Sequence, residues 1–418
     1  IEVYIMDDAR KIKKQLIKFS FYGFLKNLRF FDPYLYLYFI ESGLEFTQIG
    51  LLLAVREIII YIFEIPSGVF ADRFGKKTEL IISFMFYIVS FILFYLGNGF
   101  VDFIVAMVFF GLGEAFRSGT HKAMIMAYLD KKDIKDSKSK VYGKTRSFSL
   151  IGSTVSSLIS IIFIIALPNL SWLFIIAIIP YILDMILILT YPNFLNERID
   201  SKFSVKEFFK ENVYAVKYVF NSSNIRNLLI GSASYNAGFK SIKDYIQPLI
   251  VSITLSVVLF SSFSAEDNTN MYLGFIYSVI YLISSAAAYN SYKIIKYIKR
   301  DSIITYMWFL SGVAFLILAI FINSLTAILI VFVLLYIFLN IRKPLVIEKI
   351  GDSVDSTKRA SVLSIESQFT SLLIALFAPI LGLIADVYSI KLMLTIVGIA
   401  MTAIYMISFY NKDKIKSN

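Results

Sequence analysis

Acidic and basic side chains interrupt several long apolar runs of this 418-residue sequence. In the first run Arg29 and Asp32 are three residues apart, and in a later run Glu114 and Arg117 have the same spacing, with His121 following on. On a helix, side chains three, four or seven residues apart share one face, where opposite charges can pair. A charge in an apolar run is costly, so each of these groups is a candidate for binding or for proton transfer.

The basic members of these groups predict a site for an anionic or zwitterionic solute. Arginine offers a planar fork that matches carboxylate or phosphate, and lysine offers a point charge. Asp244 and Lys240 can pair across one helical turn. The predicted solute-binding residues are Lys26, Arg29, Arg56, Arg117, Lys240, Lys243 and Asp244.

The acidic members and the single histidine predict proton coupling. Glu57 and Glu64 are seven residues apart, which places both on one helical face about 10 Å apart. A carboxylate in apolar surroundings binds a proton more readily, and a nearby arginine opposes this. An anion that occupies Arg117 would therefore release Glu114 to bind a proton. The predicted proton-coupling residues are Glu57, Glu64, Glu114 and His121, whereas Asp184 and Glu366 are lone charges in their runs.

Other chemistry has little support in the sequence. Without cysteine, the chain has no disulfide, thiolate metal site or cysteine nucleophile, and one histidine excludes a histidine-rich metal site. The sequence has no Gly-Lys-Ser/Thr nucleotide loop and no Ser-His-Asp constellation. We therefore expect no enzymatic activity, no cofactor and no bound metal.

The apolar runs that carry these charges predict an all-α membrane protein. Hydrophobic residues make up 58% of the chain and charged residues 17%, with a mean hydropathy of +0.72. A helix needs roughly 20 mostly apolar residues to cross about 30 Å of hydrocarbon. This length predicts twelve transmembrane helices, at about 16–39, 47–71, 78–97, 101–129, 147–167, 170–191, 226–260, 271–292, 302–322, 325–347, 359–386 and 389–410.

The distribution of lysine and arginine predicts the orientation of these helices. Every second connection is rich in these residues, as at 131–146 and 293–300, and the intervening ones hold almost none. Basic loops stay on the cytoplasmic side, so both termini are predicted to be cytoplasmic, in the plasma membrane. The net charge of +11 is thus explained by topology and does not indicate nucleic acid. The expected partners are membrane lipids, a small-molecule substrate and H⁺, with the protein a monomer.

A polar stretch divides the predicted helices into two sets of six. Apolar residues alternate with charges in it, which is typical of an amphipathic surface helix. The predicted organisation is an N-terminal half at 1–192, a cytoplasmic linker at 193–225 and a C-terminal half at 226–418.

The loop after the second predicted helix reads Gly68-Val-Phe-Ala-Asp72-Arg73-Phe-Gly75-Lys76-Lys77. Gly68 would allow two helices to approach closely, Gly75 would permit a turn with positive φ, and the two lysines would hold the loop inside. An ordinary short turn with basic residues is the plainer interpretation. The pattern resembles the loop signature G-x-x-x-D-R-x-G-R/K-R/K of the major facilitator superfamily, at the position that it has there.

This resemblance implies the major facilitator fold and transport by alternating access, with the loop acting as a cytoplasmic gate. The implied gating residues are Gly68, Asp72, Arg73, Gly75, Lys76 and Lys77, and Asp72 would face Thr357–Ser361. It also implies that the first, fourth, seventh and tenth helices line a central cavity. The counterpart loop at 289–301 lacks the Gly and Asp-Arg pattern, and Ser149–Ser160 lacks the proline of the antiporter signature.

Three further blocks resemble prokaryotic members of this superfamily that have no assigned substrate. They are Phe24–Pro33, Arg56-Glu57 with Glu64–Ser67, and Gly113–His121. The sequence as a whole predicts a secondary transporter that moves a small polar, anionic or zwitterionic solute with proton coupling. The alternatives are an efflux pump for drugs or lipid-like amphiphiles, for which this cavity is too basic, and a non-transporting sensor on the same fold.

Overall fold

The computed structural model describes residues 2–134, 138–196, 216–254, 262–294, 300–354 and 359–417. These residues are almost entirely helical, and no strand occurs among them. The all-α prediction is therefore confirmed. The first eight helices are α1 Glu2–Lys26, α2 Leu35–Glu41, α3 Phe46–Phe74, α4 Lys76–Leu96, α5 Phe100–Arg117, α6 Thr120–Lys131, α7 Lys138–Ala166 and α8 Trp172–Leu189. The others are α9 Ser223–Ile242, α10 Ile246–Thr254, α11 Ala265–Ile294, α12 Arg300–Ile320, α13 Leu325–Ser353, α14 Arg359–Val387 and α15 Ile390–Ser417.

Seven of the described helices are long and apolar enough to cross a membrane, and Ile390–Met406 is a shorter apolar segment. The other helical stretches that coincide with predicted spans carry the charge clusters, as in α3, or are divided into two helices. Large apolar side chains on the helices are well exposed, for example Val101 at 71% and Ile320 at 68%, as a lipid-facing surface requires. The chain is thus a multi-pass membrane protein, and the count of twelve stays a prediction.

Three predicted spans are interrupted where they carry charges. The first breaks between Lys26 and Asp32, and its 3-10 turn contains Pro33, which cannot donate a backbone hydrogen bond. The fourth breaks at Gly119, whose φ of 76° favours glycine. The seventh breaks at the 3-10 turn Lys243–Tyr245. Each of these stretches was predicted as one span, and local turn geometry divides it into shorter helices.

The helices form two compact units. The first contains residues 1–34, 58–202 and 273–285, and the second contains 35–57, 203–272 and 286–418. Residues 197–215 of the predicted linker lie outside the described residues. The division at 1–192, 193–225 and 226–418 stays a prediction.

The core of the first unit is aromatic. Tyr181 of α8 is fully buried and packs edge-on against Phe84, Tyr87 and Phe91 of α4, with ring centroids 4.9 to 5.2 Å apart. Offset and edge-to-face ring pairs add to the energy of burial. Gly113 of α5 lies against the Tyr87 ring, so α4 and α5 can approach closely. This packing sets the position of the hydroxyl groups of Tyr87 and Tyr181.

The second unit has an aliphatic core. Ile225 and Leu229 of α9 pack with Met307 of α12, Leu345 of α13 and Val362 of α14, and all five side chains are buried. A pair of glycines, Gly312 of α12 and Gly398 of α15, allows these two helices to cross closely. Tyr235 and Trp308 extend the core by an edge-to-face contact at 5.3 Å.

Candidate functional site

The first unit contains a compact ion cluster around Glu114. Arg29 Nη2 lies 2.7 Å from Glu114 Oε1, and Arg117 Nη2 contacts Glu114 Oε2. Arg29 Nε donates to the Tyr181 hydroxyl at 2.7 Å, and Arg117 Nε donates to the Tyr87 hydroxyl at 3.1 Å. The predicted arginines are therefore brought together, although the sequence did not indicate that one carboxylate would serve both.

The local structure explains this arrangement. Arg29 lies in the non-helical break after α1, whereas Glu114 and Arg117 occupy the last turn of α5. The arginine side chains are 15% and 22% exposed, and the Glu114 side chain is 19% exposed. Charge-assisted hydrogen bonds of this kind are strong because the surroundings are poor in water. Two cations on one carboxylate leave a positive excess in the cluster.

Lys26 adds to this excess. It is the last residue of α1, is half-buried and lies within electrostatic reach of Glu114, Arg117 and Arg29. Glu114 is the described carboxylate in ion-pair contact with this cluster, whereas Asp32 and Asp184 act on the same cations electrostatically. An anion could therefore still bind at the arginines.

His121 lies in a separate aromatic setting. Its ring stacks on Tyr22 with centroids 3.6 Å apart, and Nε2 is 3.1 Å from the Tyr191 hydroxyl. We predicted that His121 shares one helical face with Glu114 and Arg117. That prediction was wrong, because Gly119 ends the continuity and His121 belongs to α6. Its proposed part in proton coupling is not tested by this geometry.

Arg56 and Glu57 lie in the second unit and interact with each other. Arg56 Nη2 is 2.8 Å from Glu57 Oε1, and Ser371 of α14 donates its hydroxyl to Glu57 Oε2 at 2.7 Å. Glu57 is 4% exposed, and each of its two oxygens is held within the protein. Glu64 lies further along α3, is half-buried and belongs to the first unit.

The charges of the seventh predicted span pair differently from the prediction. Asp244 accepts hydrogen bonds from Lys243 Nζ at 2.6 and 2.7 Å, whereas Lys240 is exposed. The possible pairing of Lys240 with Asp244 is not made, because α9 ends at Ile242 and the 3-10 turn that follows rotates Asp244 away from the α-helical position.

A second buried cluster was missed by the sequence analysis. The Arg342 guanidinium is 2% exposed, donates to the Gly231 carbonyl at 3.2 Å and lies 4.1 Å above the Tyr235 ring. On the same helix as Tyr235, Ser232 and Asn236 donate to Glu366 Oε1 at 2.7 and 3.0 Å. The sequence contains one indication of this cluster, which is that Arg342 and Glu366 both lie in apolar runs. They were too far apart in sequence for spacing to connect them.

The predicted gating loop has a defined structure around Gly75. Gly75 has φ of 96°, which confirms the predicted positive-φ turn. The Asn196 side chain accepts from the Lys77 backbone N–H at 2.9 Å, and Lys77 Nζ donates to the Tyr191 and Leu189 carbonyls at 2.8 and 3.2 Å. A cation at the end of α8 is favourable because the last carbonyls of a helix are electron-rich.

The other loop residues fulfil fewer of the expectations. Among the described residues nothing lies within 4 Å of a Cβ built at Gly68, and its expected role in a close helix approach stays a prediction. Arg73 is exposed and lies 5.4 Å from the Phe74 ring centroid, Asp72 is half-buried, and Lys76 begins α4. The predicted partner of Asp72, around Thr357–Ser361, lies outside the described side chains.

A close helix approach occurs at a second Gly-x-x-x-Asp sequence, Gly382–Asp386 of α14. A Cβ at Gly382 would lie 2.4 Å from the Phe46 carbonyl oxygen, and one at Gly50 would lie 2.4 Å from that of Ala378. Asp386 accepts from the Phe46 and Thr47 backbone N–H groups at 3.0 and 2.7 Å and from the Thr47 hydroxyl at 2.6 Å. We call this contact of α3 with α14 the Gly382–Asp386 junction.

Replacing Asp386 with alanine is expected to loosen the start of α3. The carboxylate caps the first turn of this helix, and loss of a cap costs about 1 kcal/mol, or about fivefold in local opening. Hydrogen–deuterium exchange at the Phe46 and Thr47 amides should therefore become about fivefold faster. Asp102→Ala, which removes a similar bond to the Asn98 N–H, is the control and should leave these two amides unchanged.

Glu41 gives the stability a predictable pH dependence. Partial burial raises the pKa of Glu41 to about 7, and the charge of Glu266 on α11 adds to the shift. The folded protein then holds a proton that the unfolded chain has lost, so this contribution is complete below pH about 4 and disappears as the pH rises through about 7. We expect the melting temperature of Glu41→Gln to fall less than that of the wild type from about pH 5 to about pH 8. Glu45→Gln should keep the wild-type slope, and an unchanged slope in Glu41→Gln would contradict the assignment.

Comparison with known proteins identifies the family. The sequence model described as Major Facilitator Superfamily matches residues 27–365. The chain belongs to the Major Facilitator Superfamily. This confirms the resemblance carried by Gly68–Lys77, and with it a transporter family.

One curated relative, the "Uncharacterized MFS-type transporter YxaM" of Bacillus subtilis (strain 168), is 42% identical over 90 residues. That match covers 22% of this chain and 23% of the relative, so the relative as a whole is not matched.

Solved structures of other transporters share the fold of this chain at low sequence identity. A single-residue mutant of the nucleoside transporter NupG has a TM-score of 0.77 at 11% identity, over 94% of this chain and 99% of that chain. A POT family transporter in complex with 5-aminolevulinic acid has a TM-score of 0.75 at 14% identity, over 96% of both chains. At these identities the likeness shows the major facilitator fold and carries no substrate to this chain.

Proposed function

We propose that this chain is a proton-coupled secondary transporter of a small anionic or zwitterionic solute. The observation that carries the proposal is the pair of arginines, Arg29 and Arg117, on the single carboxylate of Glu114. An incoming carboxylate or phosphate could take over one guanidinium while Glu114 keeps the other, so neither buried cation is left unpaired. An apolar amphiphile offers no such replacement.

Alternating access is part of the same proposal. The two Gly-x-x-x-Asp sequences differ in contact, since Gly382 is closely packed and Gly68 has no neighbour within 4 Å among the described residues. Membership of a transporter family, shown by the match at residues 27–365, supports this part of the proposal.

The names of the structural neighbours suggest which solutes to test first. One neighbour is a nucleoside transporter, and another binds 5-aminolevulinic acid, which carries a carboxylate and an amine. We would measure the melting temperature of the purified protein with inorganic phosphate, 5-aminolevulinic acid and uridine, because a ligand at 100 times its Kd stabilises the folded state by about 2.7 kcal/mol. Stabilisation by an acid in the wild type but not in Arg117→Gln would support the proposal.

Transport is then measured in proteoliposomes with the stabilising solute, with and without a pH gradient. Accumulation that requires the gradient is expected. Stabilisation by uridine alone, or by a lipid-like amphiphile alone, would favour a neutral or apolar cargo and contradict the anionic assignment. Accumulation independent of the gradient would contradict proton coupling.

A further inference from the structure

Asp184 of α8 is a carboxyl group with an unusual environment. It is fully buried, and neither of its oxygens accepts a hydrogen bond from any residue in the described part of the chain. A buried ionised carboxylate without donors is strongly unfavourable, whereas the neutral acid is tolerated. The neutral acid is therefore the form that fits these surroundings.

The surroundings of Asp184 contain two cations and two phenols. Lys26 and Arg117 act on it electrostatically from α1 and α5, and Tyr22 and Tyr191 lie within the same reach. The helix α4 contributes the rings of Phe84 and Tyr87, which pack on Tyr181 one turn earlier in α8. The buried Tyr22 hydroxyl makes no hydrogen bond with the described residues either.

Glu114 is less suited to exchange a proton than the sequence suggested. Both of its oxygens are held by arginine, so its ionised form is stabilised by two charge-assisted contacts. Lys26 has no carboxylate within ion-pair distance in the described residues. Asp184 is therefore a buried acid without hydrogen-bond donors, and Lys26 is a cation without an ion pair, both among the described residues.

The geometry points to Asp184 as the proton-carrying group of this transporter, with Lys26 as the cation that replaces the proton. In the step, the carboxyl O–H bond of Asp184 breaks, the proton passes to water, and the resulting carboxylate pairs with the Lys26 ammonium. The charge of the cluster falls by one as the proton leaves. The inference rests on the proposed proton-coupled transport and moves its proton site from Glu114 to Asp184.

The position of Lys26 makes this exchange possible. It is the last residue of α1, next to the break that precedes Asp32, so a small rotation at the break redirects its side chain. An anionic solute at Arg29 and Arg117 would offset the positive charge that Asp184 senses from Arg117. Protonation of Asp184 and solute binding would then favour each other, which couples the two in one direction.

Infrared difference spectroscopy of the full-length protein in lipid can test the proton site without a substrate. A protonated carboxyl has a C=O stretch that an ionised one lacks. In the wild type we expect this band at neutral pH and its loss at high pH. Asp184→Asn should remove one component, and Glu114→Gln should keep it. Glu79→Gln is a matched control, because Glu79 is also fully buried and accepts a hydrogen bond from Thr120 through one oxygen. This variant removes at most a component of its own, and it should leave the component that Asp184→Asn removes.

The variant Lys26→Gln tests the partner. Without this cation the Asp184 band should persist to a higher pH, whereas Lys13→Gln, which removes a cation elsewhere on α1, should leave it unchanged. A band unaffected by Asp184→Asn, or a titration unaffected by Lys26→Gln, would overturn the inference. If the band behaves as expected but a pH gradient drives no transport, the proton site stands and the proposed coupling fails. If a pH gradient drives transport but the Asp184 band is absent, the proposed coupling stands and the assignment of Asp184 as the proton site fails.

Discussion

Replacing Glu114 with glutamine is expected to destabilise the protein by about 3 kcal/mol, the lower end of the range for a broken buried ion pair. The lower end applies because the three side chains keep 15–22% exposure. Two guanidinium groups lose the carboxylate that they share, and the amide can donate and accept but carries no charge. Removing one acid therefore exposes two cations to each other at close range.

The measurement is thermal unfolding in detergent, with the same variant tested for transport. A loss of stability and of transport together is the expected result. Asp102→Asn, at the exposed first turn of the same helix, is the control and should behave as the wild type. A double variant, Glu114→Gln with Arg29→Gln, should recover part of the stability because one uncompensated cation is gone. A wild-type melting temperature in Glu114→Gln would contradict this account.

Replacing Gly382 with valine is expected to separate α14 from the start of α3. The Cβ would lie 2.4 Å from the Phe46 carbonyl oxygen and 2.8 Å from the Thr47 Cα, and both are backbone atoms that cannot move alone. Overpacking of this kind costs about 3 kcal/mol. The hydrogen bonds from Phe46 and Thr47 to Asp386 should break as the helices move apart, so exchange at both amides should become much faster than in Asp386→Ala.

Gly68→Val is the matched control for this change. It has the equivalent position in the other Gly-x-x-x-Asp sequence, but nothing in the described residues lies within 4 Å of its Cβ. We expect it to keep the stability of the wild type in this conformation. If the transporter cycles as proposed, Gly68→Val should still slow transport, because the opposite state would bring a neighbour against it. Equal stability of the two valine variants would contradict the role of Gly382.

The fold class was accessible from the sequence because membrane constraints are strong and local. Apolar length and one loop, Gly68–Lys77, were sufficient for the family. The breaks at Gly119 and Lys243 were not predicted, although each follows from turn geometry. Apolar periodicity cannot detect them, since a short interruption leaves the composition of a span unchanged.

The candidate site was predictable in its residue types and less so in its pairings. Arg29, Glu114 and Arg117 were correctly selected as charges in apolar runs, but their shared carboxylate depends on contact between elements 85 residues apart in sequence. Local spacing gave the wrong partner for Asp244 and the wrong helix for His121. Asp184 and Arg342 were undervalued because a lone charge has no spacing to interpret, and burial is visible only in three dimensions.

Because the sequence contains a single histidine, NMR spectroscopy can report on the interior of the first unit through one residue. Selective isotope labelling of histidine would give a spectrum of one imidazole, and its nitrogen shifts distinguish the two tautomers of a neutral ring. Since the His121 ring stacks on Tyr22 at 3.6 Å, any rearrangement of that phenol changes the ring-current shift of the imidazole. A single resonance thus reports, during turnover and without an attached probe, on the buried surroundings of Tyr22 and Tyr191.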